Sequence, residues 1–337
     1  MHTSQQLSLW AALLFGILLI AADSFSAPTL VNAGLPGAVR EIAGSDPSTR
    51  YDAICGENRE LWSPVVSGGQ MTHWMIDPAW SPVVGFLGIA ERRYISIQNG
   101  SIHGRLRDYR LNDDWQYSLP GGNPESVFVG RSSNKVFAQS WQTGALPLLE
   151  DTTGSELWSV PATSLGLTAY NSGVCIGDSR IAISSLRFST PGDVVSSEAT
   201  LLDTSTTSTA VLATRAFEAL VFAQTFSANE SHLLIASNGD GEQAVQMLSA
   251  TDLTDVWAPP ETFPGLGPSA VRFTPSGKVA IIYGTANLVI YDPVTDDRWS
   301  ESIYSQGAVS CIAFGDDGNS AYVGTTAGEV FKFSPIP

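Results

Sequence analysis

The sequence is poor in the residues from which most metal and acid–base sites are built. Histidine occurs four times in 337 residues, as His2, His73, His103 and His232. A multi-histidine metal centre would need all of the last three to converge. Lysine occurs only as Lys135, Lys278 and Lys332, and Lys plus Arg total 17 against 33 Asp plus Glu, a net charge of −16. Such a surface repels phosphate backbones and anionic lipid, which argues against nucleic acid and membrane surfaces as partners. Cys55, Cys175 and Cys311 allow at most one disulfide and each lies in a short apolar segment. Buried small hydrophobes are expected there, not a disulfide-built scaffold. No G-x-S-x-G elbow, phosphate-binding loop, H-E-x-x-H or dinucleotide fingerprint is present, so those chemistries have no foothold.

Charged residues make up 15% of the chain, well under the usual quarter or so, while 43% is hydrophobic. A large core is therefore available. Gly and Pro, at 31 and 19, suit a chain with many short turns.

Leu9 to Ala22 reads LWAALLFGILLIAA, without a charge. That is the length of a secretory signal core and short for a membrane span. No Lys or Arg precedes it. Residues 1–26 are expected to be a signal peptide, cleaved after Ala22 or Ser26, and 27–337 the working domain, secreted or held in the secretory lumen. No second long apolar run follows. Two glycan acceptor sequons, at Asn99 and Asn229, fall at expected turns and fit that route.

The chain repeats. SAVRFTPSGKVAIIYGTANLVIYD at 269–292 and SCIAFGDDGNSAYVGTTAGEVFKF at 310–333 place Phe273 and Phe314, and Gly277 and Gly318, 41 residues apart. Each copy reads as apolar strand, Gly-containing turn, apolar strand, turn, apolar strand. A period of this length made of short strands predicts propeller blades. A second signal marks the outer strand: LNDDWQYSLP, DTTGSELWSVP, TDLTDVWAPP and DPVTDDRWS carry Trp115, Trp158, Trp257 and Trp299, with Trp80 in PAWSPV a weaker copy. Their gaps from Trp80 are 35, 43, 99 and 42 residues. The gap of 99 predicts two blades with a degenerate copy near Glu198 to Leu202. One blade cannot bury both its faces, so a large flat ring near the outer strand fills the widening wedge between neighbours.

The expected fold is all-β, a single seven-bladed β-propeller, with six or eight blades as alternatives. The predicted blades are 51–82, 83–120, 121–164, 165–215, 216–265, 266–305 and 306–334. The last has three strands, and a fourth from Leu30 to Ile42 would close the ring and remove its free edge.

With Asp151, Thr153, Gly154, Glu156, Leu157 and Trp158 in LLEDTTGSELWSVP, the chain resembles the quinoprotein-like and WD40-like superfamily of β-propellers. This stretch is similar to the tryptophan-docking repeat of pyrroloquinoline-quinone proteins. The resemblance implies a fold and not an activity. Quinoprotein dehydrogenases hold their quinone beside adjacent cysteines and calcium. No two cysteines are adjacent here, and no cofactor is expected.

Propeller function sits at the mouth of the central channel. The expected face carries the loops entering each innermost strand and those joining the second and third strands. Candidate ligand contacts there are Arg50, Asn99, Gln139, Trp141, Arg187, Asn238 and Tyr304. His103 and Glu125, on turns of successive blades, are the candidate acid–base pair. No metal ligands are assigned. Loop residues differ from blade to blade, which favours one asymmetric site over a multivalent lectin. The primary expectation is a secreted propeller binding one small-molecule or protein partner at the channel mouth, without a redox cofactor. The alternative is a secretory-pathway enzyme of cyclase, isomerase, lactonase or lyase type, acting on a neutral small molecule by positioning and acid–base assistance.

Overall fold

A computed structural model describes residues 28–32, 35, 37–45, 50–55, 60–67, 70–75, 83–87, 93–98, 100–106, 115–119, 126–130, 133–140, 144–165, 171–190, 193–205, 210–237, 244–259, 268–283, 287–315 and 318–336. These residues form 28 strands and one 3-10 turn, Ala162–Leu165. After β1 (Thr29–Asn32), blade 1 is β2 (Val39–Ser45), β3 (Arg50–Cys55), β4 (Glu60–Ser67) and β5 (Gln70–Met75). Blade 2 is β6 (Val83–Leu87), β7 (Arg93–Gln98), β8 (Ser101–Leu106) and β9 (Trp115–Ser118). Blade 3 is β10 (Ser126–Gly130), β11 (Lys135–Gln139), β12 (Ala145–Glu150) and β13 (Glu156–Pro161). Blade 4 is β14 (Asn171–Ile176), β15 (Arg180–Thr190), β16 (Asp193–Asp203) and β17 (Ala210–Phe217). Blade 5 is β18 (Val221–Phe226), β19 (His232–Ser237), β20 (Val245–Ser249) and β21 (Asp255–Trp257). Blade 6 is β22 (Pro268–Phe273), β23 (Val279–Tyr283), β24 (Asn287–Tyr291) and β25 (Arg298–Ser302). Blade 7 is β26 (Val309–Phe314), β27 (Ala321–Thr325) and β28 (Val330–Phe333), completed by β1.

Each blade is a four-stranded antiparallel sheet, and there are seven. The first strands pack on one another in chain order from β6 to β26, and β26 packs on β2. Blade 7 therefore meets blade 1, and the first strands line a central channel.

The middle strands read as unbroken apolar runs for a physical reason. A blade is covered on both faces by its neighbours, so alternation with polar residues would bury polar groups. HLLIAS in β19 and AYVGT in β27 are buried almost throughout, whereas RWSES in β25, at the rim, alternates. The core is correspondingly divided among the seams. One buried cluster joins Leu234, Ala236 and Met247 of blade 5 to Val271, Ile281 and Tyr291 of blade 6. Others join blades 6 and 7, 7 and 1, 3 and 4, 4 and 5, and 2 and 3.

Trp115, Trp158, Trp257 and Trp299 all lie on outermost strands and face the next blade. Trp115 donates its indole N–H to the Asp151 carbonyl in the β12–β13 turn. Trp257 donates to Asp296 Oδ1 at 2.8 Å in the β24–β25 turn and tilts against Tyr291. Trp299 meets Phe333 edge-on. Trp80 lies outside the described residues. The receiving turns share one left-handed residue, Gly154 (φ 66°), Leu253 (φ 60°) or Asp296 (φ 59°), each donating its N–H back four residues. Glycine takes that conformation without strain. Gly154 has a second constraint, since a Cβ there would stand 2.6 Å from Cδ2 of Trp115.

The degenerate copy is displaced from its expected place. Glu198 to Leu202 belongs to β16, the third strand of blade 4. The residue in register is Ala213 of β17, opposite Leu201 and just after a bulge, as Trp158 and Trp257 are in their blades. Strands β15 and β16 run to 11 residues each, which pushes the outer strand downstream. Arg215 takes over the docking: its Nη1 donates to the Leu253 carbonyl and to Asp255 Oδ1, both at 2.9 Å.

The closing segment also differs from expectation. Leu30 to Ile42 is not one strand. Its first part, β1, pairs with β28 and closes blade 7, while its last part opens β2, the innermost strand of blade 1. Blade 1 thus starts at Val39 and not at residue 51.

A carboxylate ties the turns of blades 4 and 5. Glu230 accepts from the Asp178 N–H, from the Ser179 N–H at 3.1 Å and from the Ser179 hydroxyl at 2.8 Å, and its backbone carbonyl accepts from Arg180 at 2.7 Å. Glu230→Ala is expected to destabilise the protein by about 1–3 kcal/mol, because charge-assisted acceptors for two backbone donors disappear. Urea unfolding measures this, and an unchanged midpoint would show that solvent replaces the carboxylate at no cost.

Candidate functional site

The innermost strands bound a cavity of about 390 Å³ in the channel. It lies mostly beside their second halves, against Val127 to Gly130 of β10, Val174 to Ile176 of β14, Gln224 to Phe226 of β18 and Cys311 to Phe314 of β26. Arg272 of β22 and Arg40 and Ile42 of β2 complete it. Six blades contribute, each with different side chains, so the cavity has no rotational symmetry.

Local strand geometry explains which residues reach it. A bulge follows the first residue of β2, β6, β14, β18, β22 and β26. Such bulges bend a strand and re-aim its side chains. Arg40 is the extra residue of the β2 bulge. Val129, Val174, Phe226 and Phe314 are only half-buried, while Val271 on the neighbouring β22 is fully covered.

The polar part of the wall is fixed. Gln224 is buried; its amide N–H donates to the Ala182 carbonyl at 2.6 Å and its Oε1 accepts from the Ser184 hydroxyl at 3.0 Å. Arg272 Nη1 donates to the Val271 carbonyl at 3.0 Å. Burial pushes the Cys175 thiol well above the usual thiol range; bonds from the strand and the Arg272 charge oppose this only in part. Cys175 is thus a neutral thiol, and no disulfide joins it to Cys311. The lining contains two guanidiniums and, among the described residues, no carboxylate.

Those candidates named from sequence that fall on described residues lie elsewhere. His103 is not on a turn: it is buried within β8, paired with Ser96 and Gln116. The reason is that the turn ends three residues earlier, at Gly100. Gln139 ends β11 and is buried. Arg187 lies in β15 and pairs with Glu198. Tyr304, between β25 and β26, is 96% exposed. Arg50 opens β3, a second strand, so it sits at the opposite end of the ring from the expected face. The extra inner strand β2 shifts blade 1 by one strand and causes this correction. Asn99, Glu125, Trp141 and Asn238 lie outside the described residues. His103, Gln139, Arg187 and Tyr304 do not line the cavity.

Sequence reasoning missed Arg40 and Arg272. Arg272 is a lone charge within the apolar inner-strand run SAVRFT, and Arg40 stands beside Glu41 in VREIAG. A charge there has no reason to exist as core, and that was the available signal.

The fold and its channel define a β-propeller of the WD40-like kind. Among solved structures, the chain is similar to the WD40 domain of Neurospora crassa Pan2, at 12% identity and a TM-score of 0.63, over 89% of this chain and 90% of that one. It is similar also to the WD40 β-propeller domain of Doa1, at 14% identity and a TM-score of 0.63, over 92% of this chain and 98% of that one. At these identities the likeness is one of fold. No family model matches the sequence, and no curated protein does.

Proposed function

We propose that this protein is a secreted binding propeller that takes a single small partner in its central channel and works without a redox cofactor. The observation that carries this is the asymmetric cavity of about 390 Å³, walled by half-buried apolar side chains beside a few fixed polar groups. That composition and size suit a small-molecule site. The apolar segment Leu9 to Ala22 supports secretion. Asn229 is exposed, and its side-chain carbonyl accepts from the Ser231 N–H and hydroxyl at 3.1 and 2.7 Å, so the sequon is open to glycosylation.

The test uses protein expressed with its leader and recovered from the medium. A fragment library is screened by ligand-observed NMR against wild type, Val129→Trp and Val174→Phe. Binding is expected to wild type and to be lost in both filled variants, whose thermal midpoints show that they fold. Retention of binding by the filled variants, absence of any hit, or failure to reach the medium would overturn the corresponding part of the proposal.

A further inference from the structure

We infer that β17, the outer strand of blade 4, is a docking edge for an extended, basic segment of another polypeptide, which adds to the blade as a fifth strand. This site lies on the rim and is independent of the channel. β17 pairs with β16 on one side only. On its other side the backbone donors and acceptors have no strand partner among the described residues. Such a row of groups is a template for strand addition.

Proteins blunt an edge of this kind with shortness, charge or proline. Among the outer strands whose side chains are described, β1, β9 and β21 are three or four residues long. β13 carries Glu156 and Pro161, and β25 carries Arg298 and Glu301. β17 runs to eight residues, AVLATRAF, without a proline or an acid. Its one charge, Arg215, is bonded back to the Leu253 carbonyl, Asp255 and Gln246 of blade 5. Past the bulge at Leu212, residues 213–217 run in unbroken register with 197–201 and offer a regular edge. Val211 and Leu212 are 43% and 42% exposed, and Ala210, Thr214 and Ala216 are exposed beside them. An added strand therefore covers apolar surface as well as making main-chain hydrogen bonds.

Charge selects the partner. Glu218, which is exposed, directly follows the strand. At the other end Ala210 stands opposite Asp203. Bonds from the Ser205 hydroxyl and N–H, at 2.6 and 2.8 Å, hold the Asp203 carboxyl below the usual carboxylate range. Arg215 and Asp255 offset each other. The edge therefore has an acid at each end, on a chain of net charge −16. A second copy would bring like charge to like. A strand with lysine or arginine at its ends meets opposite charge.

Hydrogen exchange read by mass spectrometry on the purified protein tests this, with acetyl-KTVTVTVK-amide as the probe. The controls are acetyl-ETVTVTVE-amide, which reverses the charge, and acetyl-KTPTPTPK-amide, which keeps the charge and removes the pairing donors. The first peptide is expected to slow exchange in the segment 210–217. Both controls should bind about tenfold more weakly or worse, and Leu212→Lys should weaken the first peptide by a similar factor. The thermal midpoint of the variant establishes that it folds. Equal binding by the proline peptide overturns strand addition. Equal binding by the acidic peptide overturns the basic partner. Protection of 210–217 that rises with protein concentration alone, together with a doubled mass in solution, assigns the edge to a second copy and overturns the foreign strand. If no peptide changes exchange in that segment, the inference falls and the channel reading is untouched.

Discussion

Trp115→Ala is expected to cost about 3–5 kcal/mol of stability, as for other buried aromatic truncations, and Gly154→Ala to cost nearly as much for a different reason. The Trp115 ring is buried and lies between two glycines that leave no room for a methyl group: Gly104, its partner across β8 and β9, and Gly154 in the next blade's turn. Truncation empties that slot and orphans the Asp151 carbonyl that accepts from the indole. A methyl at Gly154 meets the ring and must also adopt a left-handed backbone, which alone costs about 1–2 kcal/mol. The two effects share one space. In a Trp115→Ala background, Gly154→Ala should therefore cost only the backbone part, giving a coupling of about 1–3 kcal/mol in a double-mutant cycle. Urea unfolding of the four proteins reads it. Additive losses would show that Trp115 and Gly154 do not dock on each other, and the account of how blades 2 and 3 adhere would be wrong.

That pair also shows why much of the architecture was legible in the sequence. A Trp on the outer strand and, in blade 3, a turn glycine four residues before the blade's own Trp, Gly154 before Trp158, are large, rare signals tied to backbone geometry. Trp115, Trp158, Trp257 and Trp299 consequently all sit where their spacing puts them. Blade 4 was harder to read because Ala213 and Arg215 do the work there, and neither residue type announces a docking position. The N-terminal segment was harder still. VREIAGS reads as an apolar strand, but nothing local distinguishes the last strand of one blade from the first strand of the next. The consequence was the misplacement of Arg50.

The site was less legible than the fold, for a related reason. The cavity takes its wall from residues on six separate strands, each apolar enough to pass for core. Loop residues such as Tyr304 looked functional because they are polar or aromatic turns. Their exposure does not bring them to the channel. Arg40 and Arg272 would have been found by asking which charges interrupt the inner-strand runs, a question that needs the blade phase to be known first.

A chain that begins at Ala33 should lose the fourth strand of blade 7 and with it roughly 3 kcal/mol, taking each lost strand-pairing hydrogen bond at about 1 kcal/mol net. Strand β1 pairs Thr29 with Lys332, Leu30 with Phe331 and Asn32 with Val330. Downstream of it, the Leu35 N–H donates to the Gly328 carbonyl at 3.3 Å, and buried Leu35 joins Val39, Ile42 and Val330 in the seam between blades 7 and 1. The seam itself survives this truncation, because Leu35, Val39 and Ile42 remain. What is lost is the cover over the outer edge of β28, whose backbone donors and acceptors then face solvent. An uncovered edge is a template for pairing with another chain. The truncated protein is therefore expected to unfold roughly 6–12 °C lower, at about 2–4 °C per kcal/mol, and to associate as its concentration rises. Thermal unfolding and light scattering across a concentration series measure the two effects. A truncated chain that unfolds at the wild-type temperature and stays monomeric would mean that β28 tolerates a free edge, and that the covered seam alone closes the propeller.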